Sequence, residues 1–479
     1  MSLLLLLGVP LVGAAVLVRA RGVLARALHA LSAIGTLAAG AGVVTAVAGA
    51  GETLALGGIL RADALSAWMV GLIVTVAALA ALEAPRYVSA RPGLFYPLFH
   101  LMVFTMLLAV TTDEVGVMWA AVEGTTLASV FLVNFERTRA SLEAAYKYLL
   151  ICSVGIAIAF VGTVLLYFAD FVHLGANVGE AHALRWTTLL RLAPSLAPRV
   201  IELGFVFLVV GYGTKAGLAP MHTWLPDAHS EAPAPVSALM SGVLLSVGLY
   251  ALLRFKPIVD LAVGPHFARR MLVALGLLSL AVAAAFLWNP RNYKRMLAYS
   301  SVEHVGLVCL GMGFGGPWGL AGAVLHIANH ALAKSVCFLL AGRIRAAYGS
   351  AEVDAVRGLL ATLPATGRAF FAALLALVGL PPFGLFVSEL MIFAAGFREG
   401  FGWAAALGLV LLVIAFGGVL RTAHAMLYGP PVAPISAPPR GWPSAAAIGA
   451  ALLLLAITGV AWPPGLAAAL DAVARIVTP

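Results

Sequence analysis

The chain is built from apolar stretches long enough to cross a lipid bilayer, separated by short polar connections. A transmembrane helix needs about 20 mainly apolar residues. Fourteen segments, numbered spans 1 to 14 in chain order, meet this requirement: roughly 2–18, 27–50, 60–82, 94–111, 114–134, 143–168, 201–219, 233–254, 270–288, 296–313, 317–341, 367–396, 402–427 and 443–461. Because 62% of the residues are hydrophobic and only 10% are charged, the composition excludes a soluble enzyme, a nucleic-acid-binding protein and a disordered chain. We therefore predict an all-α polytopic membrane protein with about fourteen transmembrane helices.

Basic residues cluster in alternate connections, and this pattern predicts the orientation of the chain. Arginine and lysine accumulate in cytoplasmic loops, and the connections on one side carry Arg19, Arg21, Arg26, Arg86, Arg91, Arg137, Arg139, Lys147, Arg291, Lys294, Arg295, Arg343, Arg345, Arg357 and Arg368. Both termini are therefore predicted to lie outside a bacterial or archaeal cytoplasmic membrane. The long connection 169–199 also carries arginines, but its segment HALRWTTLLRLA is typical of a short interfacial helix.

Two spans are interrupted by glycine and proline near their middle. Span 7 reads GFVFLVVGYGTKAGLAPMHTWL, and span 12 reads AFFAALLALVGLPPFGLFVSELMIF. A break in a lipid-embedded helix frees backbone groups that only protein or water can satisfy. A kinked packing helix would explain either break alone, whereas two breaks in corresponding positions favour an inverted-repeat transporter.

Each broken span is the fourth in a block of five, so two consecutive blocks would have opposite orientations. We therefore predict four parts of the chain. Residues 1–93 hold spans 1 to 3, residues 94–254 form the first inverted repeat, residues 255–430 form the second, and residues 431–479 hold span 14 and a short tail.

Glu123 and Lys215 are ionisable residues inside apolar segments, in spans 5 and 7. An ionisable group inside a membrane is costly and is a functional candidate by default. Facing each other, the two side chains would stabilise both charges, and separating them would release or capture a proton. A static ion pair is the alternative interpretation.

The densest polar cluster is LHIANHALAKSVCF in span 11, where His326, His330 and Lys334 follow one another at intervals of four residues. Side chains at this spacing share one face of a helix. Histidine titrates near neutral pH and can pass protons on. Zinc binding by the two histidines is a rival, but no cysteine or carboxylate follows at the spacing of a zinc motif, so we predict no metal site.

Three further residues are candidates for the same polar path. Glu389 follows the break in span 12, as Lys215 stands beside the break in span 7. Glu303 and His304 lie inside span 10, and as neighbours in sequence they face different directions, so at most one of them is expected to join the span-11 stripe. Lys294 and Arg295 are expected at the cytoplasmic end, with their charged groups reaching toward water.

The chain contains only five lysines, and their positions divide them into two groups. Lys147, Lys256 and Lys294 are predicted at loop ends, where a charge costs little. Lys215 and Lys334 lie at mid-depth, one in each predicted repeat. Because arginine stays protonated whereas lysine can lose its proton, this placement suggests that buried lysine is reserved for transport.

Several motifs resemble one known family. The segment GYGTKAGLAPMHTWLPDAHSEAPAPVSALMSGVLLSVGLYALLRF resembles the antiporter-like membrane subunits of respiratory complex I, Mrp-type antiporters and membrane-bound hydrogenases. RNYKRMLAYSSVEHVG and LHIANHALAKSVCFLLAG resemble the second-half signature of that family. The motifs look closest to the hydrogenase-4 component F type, and the resemblance covers about residues 94 to 430.

The resemblance implies two inverted five-helix repeats, broken helices 7 and 12, and proton translocation along a polar axis at mid-membrane. By position it implies roles for Glu123, Lys215, His326, His330, Lys334 and Glu389. One departure concerns helix 8, where many relatives carry a lysine or histidine as a central relay. Here the polar residues of that segment are Ser241 and Ser246, so the connection between the two halves would have to rely on water.

These features predict a proton-translocating, antiporter-like subunit of a multi-subunit membrane redox complex, of the hydrogenase-4, formate hydrogenlyase or complex I type. Protons would move through half-channels joined by a Glu/Lys/His axis. No cofactor is predicted in this chain, so electron transfer would fall to a soluble arm reached through other membrane subunits. Two alternatives stay open: a sodium/proton antiporter module, and a structural scaffold whose polar axis is vestigial.

Overall fold

The computed structural model describes residues 2–88, 92–174, 184–431 and 442–478, and these ranges are almost entirely helical. In the N-terminal half the helices are α1 (Ser2–Leu17), α2 (Gly22–Ala50), α3 (Ala64–Glu83), α4 (Pro92–Thr111), α5 (Val115–Val133), α6 (Arg139–Leu174), α7 (Trp186–Leu192), α8 (Pro198–Ala216), α9 (Leu225–Glu231), α10 (Ala234–Leu239) and α11 (Leu245–Val263). The second half contains α12 (Pro265–Leu287), α13 (Tyr293–Phe314), α14 (Gly316–Tyr348), α15 (Leu359–Thr362), α16 (Pro364–Leu377), α17 (Gly384–Arg398), α18 (Gly402–Leu427), α19 (Trp442–Val460) and α20 (Leu466–Val477).

Helix occupies each of the fourteen segments in which the sequence predicts a span. Within the described ranges, ten helices are long and apolar enough to cross a membrane, and three shorter apolar helices accompany them. The prediction of an all-α polytopic membrane protein is confirmed. The count of fourteen crossings, the inverted orientation of the repeats and the four-part division remain predictions.

Both predicted helix breaks are present, and they have similar construction. The first separates α8 from α9, beginning at Gly217 with a left-handed φ of 82°. The second separates α16 from α17 and contains Gly379, whose φ is 67°. Each break also contains one cis X-Pro peptide bond, at Ala219–Pro220 and at Pro381–Pro382. Only glycine adopts such positive φ values without strain, which explains its place in both breaks.

Local hydrogen bonds satisfy much of the freed backbone at the breaks. The amide of Leu218 donates to the carbonyl of Gly213 (2.9 Å), and the amide of Leu380 donates to the carbonyl of Leu375 (3.1 Å). The Trp224 indole donates to the carbonyl of Thr214 at 2.9 Å. Protein groups thus satisfy part of the backbone that the two breaks free.

The structure differs from the sequence-based expectation at several element boundaries. The sequence places the start of span 3 near residue 60, but a short antiparallel hairpin, β1 (Thr53–Ala55) and β2 (Leu60–Ala62), precedes α3. The predicted interfacial helix is present as α7, although residues 182–183 of its segment lie outside the described ranges, as does Arg91. Helix α14 continues to Tyr348, so Arg343 and Arg345 lie in the helix and not in a loop. The sequence does not predict the amphipathic helix α20.

Helix α3 is held at its first residue by a buried ion pair with α11. The guanidinium of Arg254 donates to both carboxylate oxygens of Asp63, at 2.6 and 2.7 Å, and the two side chains are 5% and 4% exposed. Asp63 also caps α3 by accepting from the amide of Ser66. Burial alone would raise the pKa of the Asp63 carboxyl, but the charge and hydrogen bonds of Arg254 hold that pKa well below its usual range.

A second ion pair holds the other end of α3. Glu83 in its last turn accepts from Arg86 at 3.1 Å and from Arg343 of α14. Helix α3 is therefore attached to α11 by its first turn and to α14 by its last. The pairs connect the N-terminal helices to both predicted repeats.

We expect Arg254→Ala to lower the thermal unfolding midpoint of the detergent-solubilised protein strongly, because it removes the buried guanidinium that binds both oxygens of the Asp63 carboxylate and leaves only Arg61 beside it. Removing one member of a buried pair costs about 3–5 kcal/mol. The depressed pKa of Asp63 contributes stability that is complete above the ordinary carboxyl pKa of about 3.9 and is lost as the pH falls below it. The difference in unfolding midpoint between wild type and variant should therefore be largest near neutral pH and should decrease as the pH is lowered.

Arg357→Ala is the matched control, because Arg357 pairs with an Asp354 side chain that is 94% exposed. An exposed pair of this kind contributes little to stability. Equal shifts of the unfolding midpoint in the two variants would contradict the structural role assigned to Arg254.

Candidate functional site

Lys215 lies in the last turn of α8, immediately before the first helix break, and is completely buried. Its ammonium donates to the hydroxyl of Thr126 at 2.8 Å and to that of Tyr148 at 3.0 Å. The ammonium also lies 5.2 Å from the centre of the Tyr148 ring. The Tyr148 hydroxyl in turn lies 2.7 Å from that of Ser129. Hydroxyl groups of α5 and α6 therefore solvate this buried cation.

Glu123 does not pair directly with Lys215, contrary to the expectation that the two side chains face each other. Its Oε1 accepts a hydrogen bond from Ser153 of α6 at 2.6 Å, and its buried Oε2 has no hydrogen-bond partner among the described residues. Thr126 lies three residues after Glu123 on α5, hence on the same helix face. The carboxylate therefore acts on the ammonium through its charge and not through a direct bond, and its Oε2 remains available as a hydrogen-bond acceptor.

The predicted stripe on α14 is present, and its three members are buried against α13 and α17. Lys334 donates to the carbonyl of Leu297 at 2.5 Å and to the hydroxyl of Ser300. His326 Nδ1 lies 2.9 Å from the Ser388 hydroxyl, while Nε2 of His330 is buried with no hydrogen-bond partner in the part of the chain that the structure describes. The second half thus repeats the arrangement of the first, with a buried lysine held by neutral oxygen atoms.

His304 of α13 joins this stripe. Its Nδ1 lies 3.0 Å from Nε2 of His326, and its ring centre lies 5.0 Å from that of His330. Glu303, on the preceding position of the same helix, is 6% exposed and makes no side-chain hydrogen bond to any described residue. The geometry agrees with the expectation that only one of these neighbours would meet the stripe directly.

Glu389 of α17 places its carboxylate over the second helix break. A Cβ atom at Gly379 would lie within 3.0 Å of both carboxylate oxygens, and Oε1 of Glu389 is buried and makes no hydrogen bond to a described residue. The break and the acid are therefore fitted to each other: the absence of a side chain at position 379 makes room for the carboxylate.

Ligand-type atoms of His304, His326 and Glu389 lie within 4.8 Å of one another. Two histidines and a carboxylate are a donor set that suits zinc. In this structure, however, both ring nitrogens of His326 are already hydrogen-bonded, to Ser388 and to His304. The cluster is therefore a series of hydrogen-bonded side chains. The absence of a metal from this protein stays a prediction.

Two lysines predicted at loop ends are in fact buried. Lys294 is 1% exposed and donates to the carbonyls of Ser230 and Ala232, both at 2.7 Å, so the expectation that it reaches toward water is wrong. Lys256 is 3% exposed and pairs with Asp260. A position at the end of a span does not reveal which neighbour covers it, and here the end of α9 covers Lys294.

The other loop-end lysine is where the sequence predicts it. Lys147 has a side chain that is 45% exposed, and it pairs with Glu143 and Asp227. Sequence reasoning missed the hydroxyls that hold the two central lysines, chiefly Tyr148 and Ser300. It also missed His229, a buried histidine of α9. A tyrosine or serine in an apolar segment carries no signal of its own until its partner is known.

We expect Gly379→Ala to cost more stability than Gly400→Ala. Gly400 has a similar left-handed φ of 83°, but a Cβ atom added there would meet no atom within 4 Å, so Gly400→Ala shows the backbone cost alone, about 1–2 kcal/mol. The additional loss of stability at position 379 should vanish when Gly379→Ala is made in a Glu389→Ala background, because the new Cβ atom then no longer overlaps the carboxylate. Thermal unfolding of the two single glycine variants, Glu389→Ala and the double variant measures this, and equal losses at both glycines would contradict the fit.

Comparisons with known proteins agree with this fold. The family model described as "NADH:quinone oxidoreductase/Mrp antiporter, TM" matches residues 112–415. The Hydrogenase-4 component F homolog of Methylacidiphilum infernorum is 38% identical over 339 residues, which are 70% of this chain and 70% of that protein. NADH-quinone oxidoreductase subunit N of Desulforudis audaxviator is 37% identical over 325 residues, 65% of this chain and 62% of that protein.

A solved structure is similar over almost the whole length. A chain of the membrane-bound sulfane sulfur reductase, an archaeal respiratory membrane complex, matches with a TM-score of 0.89 and 25% identity, covering 99% of this chain and 97% of that one. The resemblance noted in the sequence is thereby confirmed. With its family match across both helix breaks and across Lys215 and Lys334, the chain belongs to the NADH:quinone oxidoreductase/Mrp antiporter family of transmembrane proteins.

Proposed function

We propose that this chain is a proton-translocating, antiporter-like subunit of a multi-subunit membrane redox complex. The observation that carries the proposal is the pair of central lysines, Lys215 and Lys334. Both are fully buried, and each is held by neutral oxygen atoms and not by a carboxylate. A charge buried without a counter-ion is costly, and a lysine can remove that cost by giving up its proton.

The proposed route begins in the first half at Glu123, whose unpartnered oxygen can accept a proton. Thr126 and Tyr148 connect this region to Lys215. While Glu123 is ionised, its negative charge stabilises the protonated lysine, and protonation of Glu123 removes that charge and favours release of the lysine proton. The first half can thus load and unload one proton beside the helix break.

In the second half, the proposed route runs from Lys334 along the histidines to Glu389. His330, His304 and His326 form a buried series of rings between the lysine and the second break. Each imidazole can accept a proton on one nitrogen and release one from the other. Glu389, with an unpartnered buried oxygen, is the proposed terminal group, and Glu303 is a weaker candidate beside it.

The names of the relatives support the assignment to a redox complex. One is a hydrogenase-4 component homolog, another is a subunit of an NADH-quinone oxidoreductase, and the similar solved chain belongs to a respiratory membrane complex. We propose that the electron-transfer chemistry resides in a soluble arm and that this chain binds no cofactor. Other membrane subunits would transmit the electrostatic signal of that chemistry to Glu123.

We expect Lys215→Met and Lys334→Met each to lower redox-driven proton pumping by about tenfold or more, because methionine keeps the apolar stem but exchanges no proton. The complex is purified through a tag on this chain and reconstituted in liposomes. Internal acidification is then recorded with a pH-sensitive dye and normalised to the rate of electron transfer.

Lys147→Met is the matched control, because Lys147 is a lysine with a 45% exposed side chain outside the buried series. Its pumping should equal that of wild type. Unchanged pumping in both central variants would refute the proposed roles. A sodium-dependent activity that persists in the presence of a protonophore would instead favour the sodium/proton antiporter.

We also propose a bacterial or archaeal cytoplasmic membrane as the location, with both termini outside. A cysteine placed at Ser2 or Thr478 should react with a membrane-impermeant maleimide on intact cells, because the three native cysteines are buried. Arg139→Cys, at the exposed start of α6, should react only after permeabilisation. The reverse pattern of labelling would show that the termini face the cytoplasm.

A further inference from the structure

The proposed proton route lacks a titratable group between its two halves. Helices α10 and α11 stand at the position where the resemblance implies a central lysine or histidine, but residues 234–253 contain no lysine, histidine, aspartate or glutamate. The three serines there are already engaged, and Ser237 donates to the backbone carbonyl of His229 at 2.9 Å. Ser241 lies 2.7 Å from the hydroxyl of Ser301, and Ser246 donates to the carbonyl of Gly242. This segment therefore provides no relay of its own.

His229 is a buried histidine whose ring nitrogens make no hydrogen bond to a described residue. It lies on α9, directly after the first helix break, and is 0% exposed. Among the described residues, it is the histidine for which both ring nitrogens are buried without a hydrogen-bond partner. Leaving a buried polar atom unpaired costs about 1–3 kcal/mol. Such a cost at two atoms of one ring calls for a hydrogen-bond partner, and a water molecule can both donate and accept.

The position of His229 is between the two central lysines. On one side its ring lies 5.5 Å from that of Phe338, at an angle of 26°, and Phe338 stands one helical turn after Lys334. On the other side its ring centre is 6.3 Å from that of Trp224. Trp224 packs at 4.7 Å against Tyr148, the residue that accepts from the Lys215 ammonium.

Charged and titratable groups from two other helices face His229. Lys334 and His330 of α14 interact electrostatically with its ring, as does Lys294 of α13. Lys294 also donates to the carbonyl of Ser230, the residue that follows His229. The ring therefore interacts electrostatically with the second-half lysine, while its own helix belongs to the first half.

We propose that His229 is the proton relay that connects the Lys215 half to the Lys334 half, in the place of a titratable residue on helix 8. This inference rests on the proposed function and adds a named residue to its route. Water completes the path between the ring and the two lysines.

The transfer balances as a simple exchange. One ring nitrogen of His229 accepts a proton from water on the Lys215 side, forming an imidazolium. The other nitrogen then releases its proton to water on the Lys334 side, which leaves the neutral ring in the other tautomer. Rotation of the ring or a return exchange through water restores the starting tautomer. No oxidant, reductant or further reactant is required.

A structural role would give a different result from a relay, and two variants separate them. His229→Phe keeps an aromatic ring against Phe338 but removes both nitrogens. His229→Gln keeps hydrogen-bonding groups but cannot exchange a proton near neutral pH. The tagged complex carrying each variant is reconstituted in liposomes, and protons pumped per electron are measured alongside subunit assembly. His100→Gln is the control, since His100 is a buried histidine of α4 outside the route.

We expect both His229 variants to assemble and to pump fewer protons per electron by about tenfold or more, while His100→Gln pumps as wild type. Pumping within about twofold of wild type in either assembled His229 variant would overturn the inference. If Lys215→Met and Lys334→Met abolish pumping while His229→Phe does not, only the relay is refuted. If none of the four variants affects pumping, the proposed function itself fails.

Discussion

An apolar interior cannot hold an ammonium group without oxygen atoms around it, and this constraint shapes the whole molecule. Four of the five lysines are buried, and each is solvated differently. Hydroxyls hold Lys215, a carbonyl and a hydroxyl hold Lys334, two carbonyls hold Lys294, and a carboxylate holds Lys256. For the first three, those oxygen atoms come from neighbouring helices, so the demand for solvation determines which helices must be adjacent. The position of the lysines therefore accounts for much of the packing.

The two helix breaks are the second expression of the same constraint. A continuous helix satisfies its own carbonyls and amides and offers nothing to a buried ion. A break frees several of these groups, and the protein places an ionisable residue beside each: Lys215 before the first and Glu389 after the second. At the second break the fit is steric as well, because the acid fills the space that a side chain at Gly379 would take. The ionisable residues of the polar axis and the helix breaks therefore occur together.

Hydropathy predicts where helices lie because lipid acts on composition segment by segment, and helix is found in each of the fourteen predicted segments. Properties that depend on neighbours are not accessible in the same way. The hairpin before α3 and the helix α20 are stabilised by contacts with distant parts of the chain. Lys294 looks like a loop-end residue in the sequence because its cover, the end of α9, is 62 residues away along the chain. His229 sits in a short polar segment typical of a connection, and only its surroundings show that it is buried.

The contact between Lys294 and the end of α9 also limits how the chain can be divided. Lys294 begins the helix α13 of the second half, while the carbonyls of Ser230 and Ala232 that it satisfies end the broken helix of the first. A fragment holding the second half alone would leave the Lys294 ammonium without these carbonyls, and a fragment holding the first half alone would leave the Ser230 carbonyl without its Lys294 donor. The halves therefore cannot be exchanged as independent modules between related proteins unless the lysine and the carbonyls it binds are transferred together.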